Sequence, residues 1–303
     1  MLTNGNGDRY ELDREWIQKL FNKIDSNNDY VIDWSEFEIL WSKWLRTVLR
    51  PRSAFIIVDV QNDFISGTLS LSKCPSEHRG EEVIPVINQL LKSVPFDLVV
   101  YSYDWHPDDH ISFYENHMKR KIIGHNDATI AENLNIDVQL FEEVTFEGPP
   151  QTSQILWPRH CVQNTWGSEL HPDLKVTQDL DHVNVYKGTN PLIDSYSAFW
   201  DNGKLSETSL NSELMSRNIT DVYVCGLAYD VCVNFTAAHA NEAGYRTVLV
   251  DDASRGVDLK TIERVKSNLT SNDIMILNSD SVLDMVTGRD RRPELARRLA
   301  ASL

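Results

Sequence analysis

From Ala54 onward the chain repeats one pattern: a short β-branched apolar run closed by polar residues, then a helical stretch. The runs are AFIIVDV (54–60), DLVVYSYD (97–104), HVNVYK (182–187), DVYVCGLA (221–228), YRTVLVDD (245–252) and DIMILN (273–278). Apolar runs of this length without strict alternation read as strands buried on both faces. Helical periodicity fills 82–94, 204–217, 231–243 and 259–269. Such alternation predicts an α/β domain over residues 51–303, a doubly wound parallel six-stranded sheet with helices on both faces. Residues 117–158 hold no convincing strand, and a segment that long is expected to cover an active site or to form a surface insertion.

Charge narrows the partners. Lys+Arg 29 against Asp+Glu 45 leaves a net charge of −16, which disfavours electrostatic binding to nucleic acid or to an anionic membrane. Five arginines at 289–298 are a local exception, expected to form a solvated helix face at the chain end. The start, MLTNGNGDRY, lacks the basic-then-apolar pattern of a secretory leader, and no apolar stretch approaches the roughly 18 residues needed to span a bilayer. Cys74, Cys161, Cys225 and Cys232 are too scattered for a disulfide framework and fit a reducing compartment, cytosol or nucleus.

Residues 1–50 differ from the rest. They hold Trp16, Trp34, Trp41 and Trp44 and read as a helix-loop-helix module: a helix ending near Ile24, a polar loop, and a second helix with Phe37, Leu40, Trp41, Trp44, Leu45 and Val48 on one face. The loop Asp25-Ser26-Asn27-Asn28-Asp29-Tyr30-Val31-Ile32-Asp33-Trp34-Ser35-Glu36 supplies oxygen ligands at Asp25, Asn27, Asp29, Asp33 and Glu36, plus the Val31 carbonyl. That is the spacing of an EF-hand loop and predicts a bound Ca2+. Position six is Tyr30 where glycine normally takes the sharp turn, a substitution that strains the backbone there. The Trp-rich face is expected to pack on the catalytic domain or on another subunit of a homo-oligomer.

Three groups fall just beyond strand ends, where open α/β sheets place their active sites. Asp59 closes the first run, Lys187 closes the third, and Cys232 follows the fourth at the start of a helix. A buried charge at a strand end is costly unless it is paired or functional. A thiol at a helix N-terminus near a lysine is expected to carry thiolate character at neutral pH. Base, cation and thiol together make a nucleophilic site. Asp104, His106 and His160 lie on the same rim; one carboxylate and two imidazoles suit zinc, iron or manganese. His110, His117 and His125 lie close by, so spacing alone leaves the ligand set open.

In the order DVQNDF, YDWHPDDHISF, LWPRHCVQNTWGSEL, YKGT, YSAFWDN and GLAYDVCV, residues 53–288 resemble the isochorismatase-like cysteine hydrolase family and, within it, the nicotinamidases. The resemblance implies hydrolysis of nicotinamide to nicotinate and ammonia, a step of NAD salvage, through a cysteine thioester. It implies Asp59, Lys187 and Cys232 as catalytic triad and Asp104, His106 and His160 as ligands of a divalent metal, usually Zn2+, with Mn2+ or Fe2+ as alternatives. Phe64, Trp157 and Tyr196 would surround the substrate ring. A cis peptide joining Leu227 and Ala228 would turn the Ala228 amide toward that of Cys232 as an oxyanion hole. An N-terminal EF-hand looks like the arrangement in invertebrate nicotinamidases.

Two other readings fit the same residues. One is a related amidohydrolase acting on another small amide, such as a carbamoyl compound or ureidoacrylate. The other is a calcium-responsive interaction protein on a hydrolase scaffold, although a site without chemistry has no physical reason to keep a charged pair beside a thiol.

Overall fold

The structure, a computed structural model, describes residues 2–125, 128–129 and 137–300. Ten strands run in chain order as β1 Ser53–Val58, β2 Leu98–Asp104, β3 Ile122–His125, β4 Ala128–Thr129, β5 Glu143–Phe146, β6 Thr152–Ile155, β7 His182–Lys187, β8 Asp221–Leu227, β9 Arg246–Arg255 and β10 Met275–Leu277. The helices are α1 Arg14–Ile24, α2 Trp34–Leu40, α3 Arg46–Leu49, α4 Asn62–Ile65, α5 Val83–Ser93, α6 Leu210–Ser216, α7 Asn234–Glu242, α8 Leu259–Ser271, α9 Val282–Val286 and α10 Pro293–Ala300. Among the described residues, none is long and apolar enough to cross a membrane.

Six strands form one sheet in the order β10-β9-β8-β1-β2-β7, every neighbouring pair parallel. All six expected runs are strands of it. β1 shows why the run carries no alternation: Phe55 and Ile57 face one core with α5 and α9, while Ala54, Ile56 and Val58 face the other with α6, α7 and α8. The sheet is doubly wound because each face needs its own helical layer to exclude water. Chain order reverses beside β1, with β2 on one side and β8 on the other, so the crevice beyond the carboxyl end of β1 is the topological switch point.

One helix is shorter than its periodicity predicts. Asp201 Oδ1 accepts the amides of Gly203 and Leu205 at 2.9 and 3.0 Å and its Oδ2 accepts that of Ser206 at 2.7 Å. Local side-chain bonding of this kind replaces helix, and α6 starts only at Leu210.

The insertion at 117–158 is not strandless. β3, β4, β5 and β6 make an antiparallel sheet in the order β4-β3-β5-β6, with Val144, Phe146 and Leu156 in a small core of their own. Four-residue strands such as EVTF and TSQI bury one face only, so their composition is mostly polar and hides them. Residues 126–127 and 130–136 of the insertion lie outside the described residues.

The arginine-rich tail keeps Arg289 and Arg297 exposed, as expected, but its helix has a second, packed face. α10 packs on the N-terminal helices: Trp44 Nε1 donates to the Ala296 carbonyl at 2.8 Å, and Leu2, Trp44, Val48, Ala296 and Ala300 are buried together. The Arg297 guanidinium lies 5.5 Å over the Trp16 ring, and Arg298 Nε donates to Asn241 at 2.9 Å. The second helix passes through a π turn at Trp41–Leu45, and its apolar face divides there. Trp44 and Val48 dock, whereas Trp34 stays 71% exposed beside Phe37 and Trp41.

Candidate active site

Four adjacent strands deliver the groups expected to react. Asp59 directly follows β1 with a left-handed φ of 53°, Asp104 ends β2, Lys187 ends β7 opposite Asp104 in register, and Cys232 lies in the π turn Tyr229–Val233 after β8. Lys187 Nζ is 2.8 Å from Asp59 Oδ2 and 3.5 Å from Cys232 Sγ; it also donates to Asp104 Oδ1 and, at 3.1 Å, to the Ser195 carbonyl. Asp59 Oδ1 accepts the Ser102 hydroxyl at 2.5 Å. Ligand atoms of Asp59, Asp104 and Cys232 lie within 4.8 Å of one another. The structure therefore brings the expected base, cation and thiol together, all buried.

The charges there are mutually adjusted. Burial pushes the Asp59 carboxyl up, with Lys187 opposing and Asp104 adding to the rise. Burial acts the same way on Asp104, but the Lys187 ammonium and His106 outweigh it and hold that carboxyl well below the usual range. Burial would discharge Lys187, yet Asp104 and Asp59 keep it protonated well above an ordinary lysine. The expected thiolate at Cys232 does not follow. Burial drives the thiol well up, Lys187 only partly offsets this, and Asp59, Asp104 and Asp194 add to it. A helix-end argument counts one lysine and misses three carboxylates. The Cys232 thiol is thus held up beside the Asp59 carboxyl, which burial also raises.

Asp104, His106 and His160 also converge, with ligand atoms within 4.8 Å of one another. Asp104 Oδ2 is 3.4 Å from His106 Nε2 and 3.6 Å from His160 Nε2. Each ring is fixed from behind: His106 Nδ1 pairs with the Gly188 carbonyl at 2.9 Å and His160 Nδ1 with the Pro158 carbonyl at 2.7 Å. Those bonds put the ring proton on Nδ1 and turn both Nε2 lone pairs toward a carboxylate, an array of acceptors that fits a divalent cation. Gly188 makes the packing feasible. At φ +64° a Cβ there would fall 2.3 Å from His106 Cε1.

His110 and Asp194, outside the expected ligand set, lie alongside. The His110 ring stacks 4.0 Å from that of His106, its Nδ1 pairs with Ser112 Oγ at 2.7 Å, and its Nε2 is 3.9 Å from Asp194 Oδ1. Burial, reinforced by His106, holds His110 well below the usual imidazole value. His117 and His125 pair elsewhere, with the Tyr114 carbonyl and with Glu142.

Two residues of the DVQNDF segment hold the frame. Gln61 accepts the Asp104 amide at 2.9 Å and donates to the Asp104 and Ser168 carbonyls at 2.8 and 2.9 Å. Asp63 Oδ2 accepts the Cys161 amide at 2.7 Å, fixing the chain just after His160. Their signal was membership of a quoted motif, with no chemistry of their own to mark them.

Phe64, Trp157 and Tyr196 line a pocket shared with Asp104, His160, Ala228 and Cys232. The insertion supports this wall: the Phe141 ring lies 5.8 Å from Trp157, and Gln154 Nε2 donates to Asp194 at 3.0 Å and to the Tyr196 hydroxyl at 3.3 Å. Among the described residues, the cis peptides are Gly148–Pro149 and Pro149–Pro150. Leu227–Ala228, expected to be cis, is not among them. Ala228 turns the chain with a left-handed backbone instead, φ 57° and ψ 60°, which for a small residue costs less than the roughly 3 kcal/mol of a non-proline cis bond.

At the EF-hand-like loop, Tyr30 takes φ 65°, the left-handed turn that glycine would supply. Asp25 and Glu36 are buried. Asp25 Oδ2 accepts the Tyr30 amide at 2.9 Å, and Glu36 accepts the Ser26 amide at 2.8 Å and the Asp33 amide at 3.1 Å. Asp33 and Glu36 thereby form a capping box for α2. Among the described residues, the acidic, histidine and cysteine groups close enough to hold a metal lie in the catalytic cleft.

The sequence model of the isochorismatase domain matches residues 53–269. The chain is 36% identical to the nicotinamidase of Escherichia coli over 213 residues, 69% of this chain and 86% of that protein. Among solved structures, the yeast nicotinamidase Pnc1p bound to the inhibitor nicotinaldehyde aligns with a TM-score of 0.62 at 32% identity, covering 75% of this chain and 99% of the other. The pyrazinamidase of Pyrococcus horikoshii in complex with zinc aligns with a TM-score of 0.55 at 29% identity, over 75% and 99%.

Proposed function

The chain belongs to the isochorismatase-domain family, and on that premise we propose that it is a nicotinamidase, hydrolysing nicotinamide to nicotinate and ammonia as a step of NAD salvage. The observation that carries the mechanism is the buried Lys187 ammonium in contact with Asp59, Asp104 and Cys232 at once.

Asp59 takes the proton of the Cys232 thiol as the sulfur bonds to the carboxamide carbon. Lys187 offsets the negative charge that then resides on sulfur. The backbone amide of Cys232 holds the oxyanion; a donor of that kind is worth roughly 3 to 4 kcal/mol when removed. Asp59 returns the proton to nitrogen as the C–N bond breaks, and ammonia leaves a thioester. Water adds to the thioester, giving one proton to Asp59, which passes it to the departing sulfur. Phe64, Trp157 and Tyr196 supply flat walls for the ring. Asp104, His106 and His160 would hold a zinc ion, which supplies a Lewis-acidic site for the ring nitrogen.

The test is ammonia release from purified protein over a panel of nicotinamide, a carbamoyl compound and ureidoacrylate. Nicotinamide should give the highest kcat/KM; a preference for either other amide by tenfold or more (about 1.4 kcal/mol) overturns the assignment.

For the N-terminal module we propose an EF-hand that binds Ca2+ through Asp25, Asn27, Asp29, Asp33, Glu36 and the Val31 carbonyl. The left-handed Tyr30 and the buried Asp25 and Glu36 support it. Calorimetric titration should show one calcium ion bound per chain and none bound by Glu36→Gln.

A further inference from the structure

Val257 lines the catalytic pocket beside Cys232 and brings no chemistry of its own. Its segment is nevertheless held from several sides. The Val257 amide donates to Asp230 Oδ1 at 2.8 Å and the next amide, Asp258, to Asp230 Oδ2 at 3.0 Å. The Val257 carbonyl accepts the Ser76 amide at 2.9 Å, and the Gly256 carbonyl accepts Ser76 Oγ at 2.5 Å. Both oxygens of one buried carboxylate are thus used on consecutive amides, and that carboxylate stands in the same π turn as Cys232. No slack separates the two segments. A Cβ on Gly256 would fall 2.6 Å from Asp230 Oδ1 and 2.8 Å from Tyr229 Cβ.

We propose that Asp230 is a positioning residue for substrate recognition: it sets the distance between the Val257 wall and the Cys232 turn, and so the ring size the pocket accepts. The inference rests on the reading that the pocket holds a flat heteroaromatic carboxamide, and it names the groups that measure that ring. A wall touches ground state and transition state alike, so loosening it raises KM and leaves kcat nearly unchanged. It should also relax discrimination against a fused ring.

The experiment uses the full chain with nicotinamide and quinoline-3-carboxamide, scoring ammonia for wild type, Asp230→Asn, Val257→Ala and the double variant. Asparagine keeps the shape but offers one acceptor oxygen to two amides. Each single variant should raise the KM for nicotinamide by about three- to tenfold with kcat within about twofold. Each should lower the preference for nicotinamide over the fused ring by about fivefold, and the double variant should match the larger single effect. A fall in kcat at constant KM, an unmoved preference, or multiplying effects in the double variant overturns the inference. If Asp230→Asn does not melt cooperatively, Ser76→Ala takes its place under the same criteria. A wild type inert toward nicotinamide overturns the parent reading and this inference with it; an active wild type whose variants keep KM and preference overturns the inference alone.

Discussion

Lys187 Nζ lies 3.5 Å from Cys232 Sγ, and both residues are buried. The lysine is the cationic side chain that touches Asp59, Asp104 and the sulfur together, so its removal takes the ammonium from two buried carboxylates. Lys187→Met should cost about 3–5 kcal/mol of stability, the usual result of breaking a buried ion pair from one side. It should also lower kcat/KM by about a thousandfold or more, because charge on sulfur is then uncompensated. Urea unfolding and ammonia release read the two effects. Activity within tenfold of wild type would remove Lys187 from the mechanism.

Cys232→Ala should release no measurable ammonia while keeping its metal content, since the proposed nucleophile is removed and Asp104, His106 and His160 are untouched. In metal-free wild type, alkylation of Cys232 by iodoacetamide should be slow at pH 7 and rise toward alkaline pH, because burial and three carboxylates hold the thiol up against Lys187. Rapid alkylation at pH 6 would contradict that balance.

Strand ends were the legible part of this site. β1 is buried on both faces and ends as its first acidic residue arrives, so Asp59 announces its place at the sheet rim, while Asp104 and Lys187 close the runs of β2 and of the half-exposed edge strand β7. What the sequence hid were properties of groups that meet only in three dimensions. The charge state of Cys232 depends on Asp194, 38 positions away along the chain and invisible as a neighbour. The insertion strands bury one face against a core of five residues, too few to write a pattern. α10 reads as a solvated arginine helix, and its sequence does not disclose that its other face takes the Trp44 hydrogen bond.

His160→Ala should cut zinc stoichiometry and raise the KM for nicotinamide. His106 and His160 each have Nδ1 tied to a carbonyl and Nε2 turned toward Asp104, so losing one leaves two donors of three. Metal content by mass spectrometry on dialysed protein checks the first point and initial rates the second. Full zinc retention would exclude His160 as a ligand.

Stability should also carry the signature of a histidine buried neutral. His110 is held well below the usual imidazole value of 6.5, first by burial and then by His106. Below pH 6.5 the unfolded chain binds a proton that the folded chain refuses, so the unfolded state gains with every fall in pH and folding weakens. The slope is up to about 1.4 kcal/mol per pH unit for one such group. In chelator-treated protein, urea midpoints between pH 6.5 and 5 should fall more steeply for wild type than for His110→Asn, which has nothing to protonate. Equal slopes would show that His110 takes its proton in the folded state.

The N-terminal module should be separable from catalysis. Its anchor is Trp44, 4% exposed, with Nε1 bonded to the Ala296 carbonyl at 2.8 Å. It meets the sheet where the Thr47 carbonyl accepts from Arg246, the first residue of β9, and where Val48 lies near Asp221 and Tyr223 of β8, at the end of the sheet opposite Asp59 and Cys232. Trp44→Ala removes a large side chain from a small core, a change that typically costs about 3–5 kcal/mol. That cost should fall on the helices of residues 1–50 and on α10, which share the core, and leave the doubly wound sheet standing. Limited proteolysis should therefore cut within residues 1–50 far faster in Trp44→Ala than in wild type, with kcat/KM for nicotinamide within about twofold. If activity fell in step with cleavage, the module would have to support the site through β9, because Arg246 also pairs with Asp221 at the start of β8, the strand that ends at the Cys232 turn.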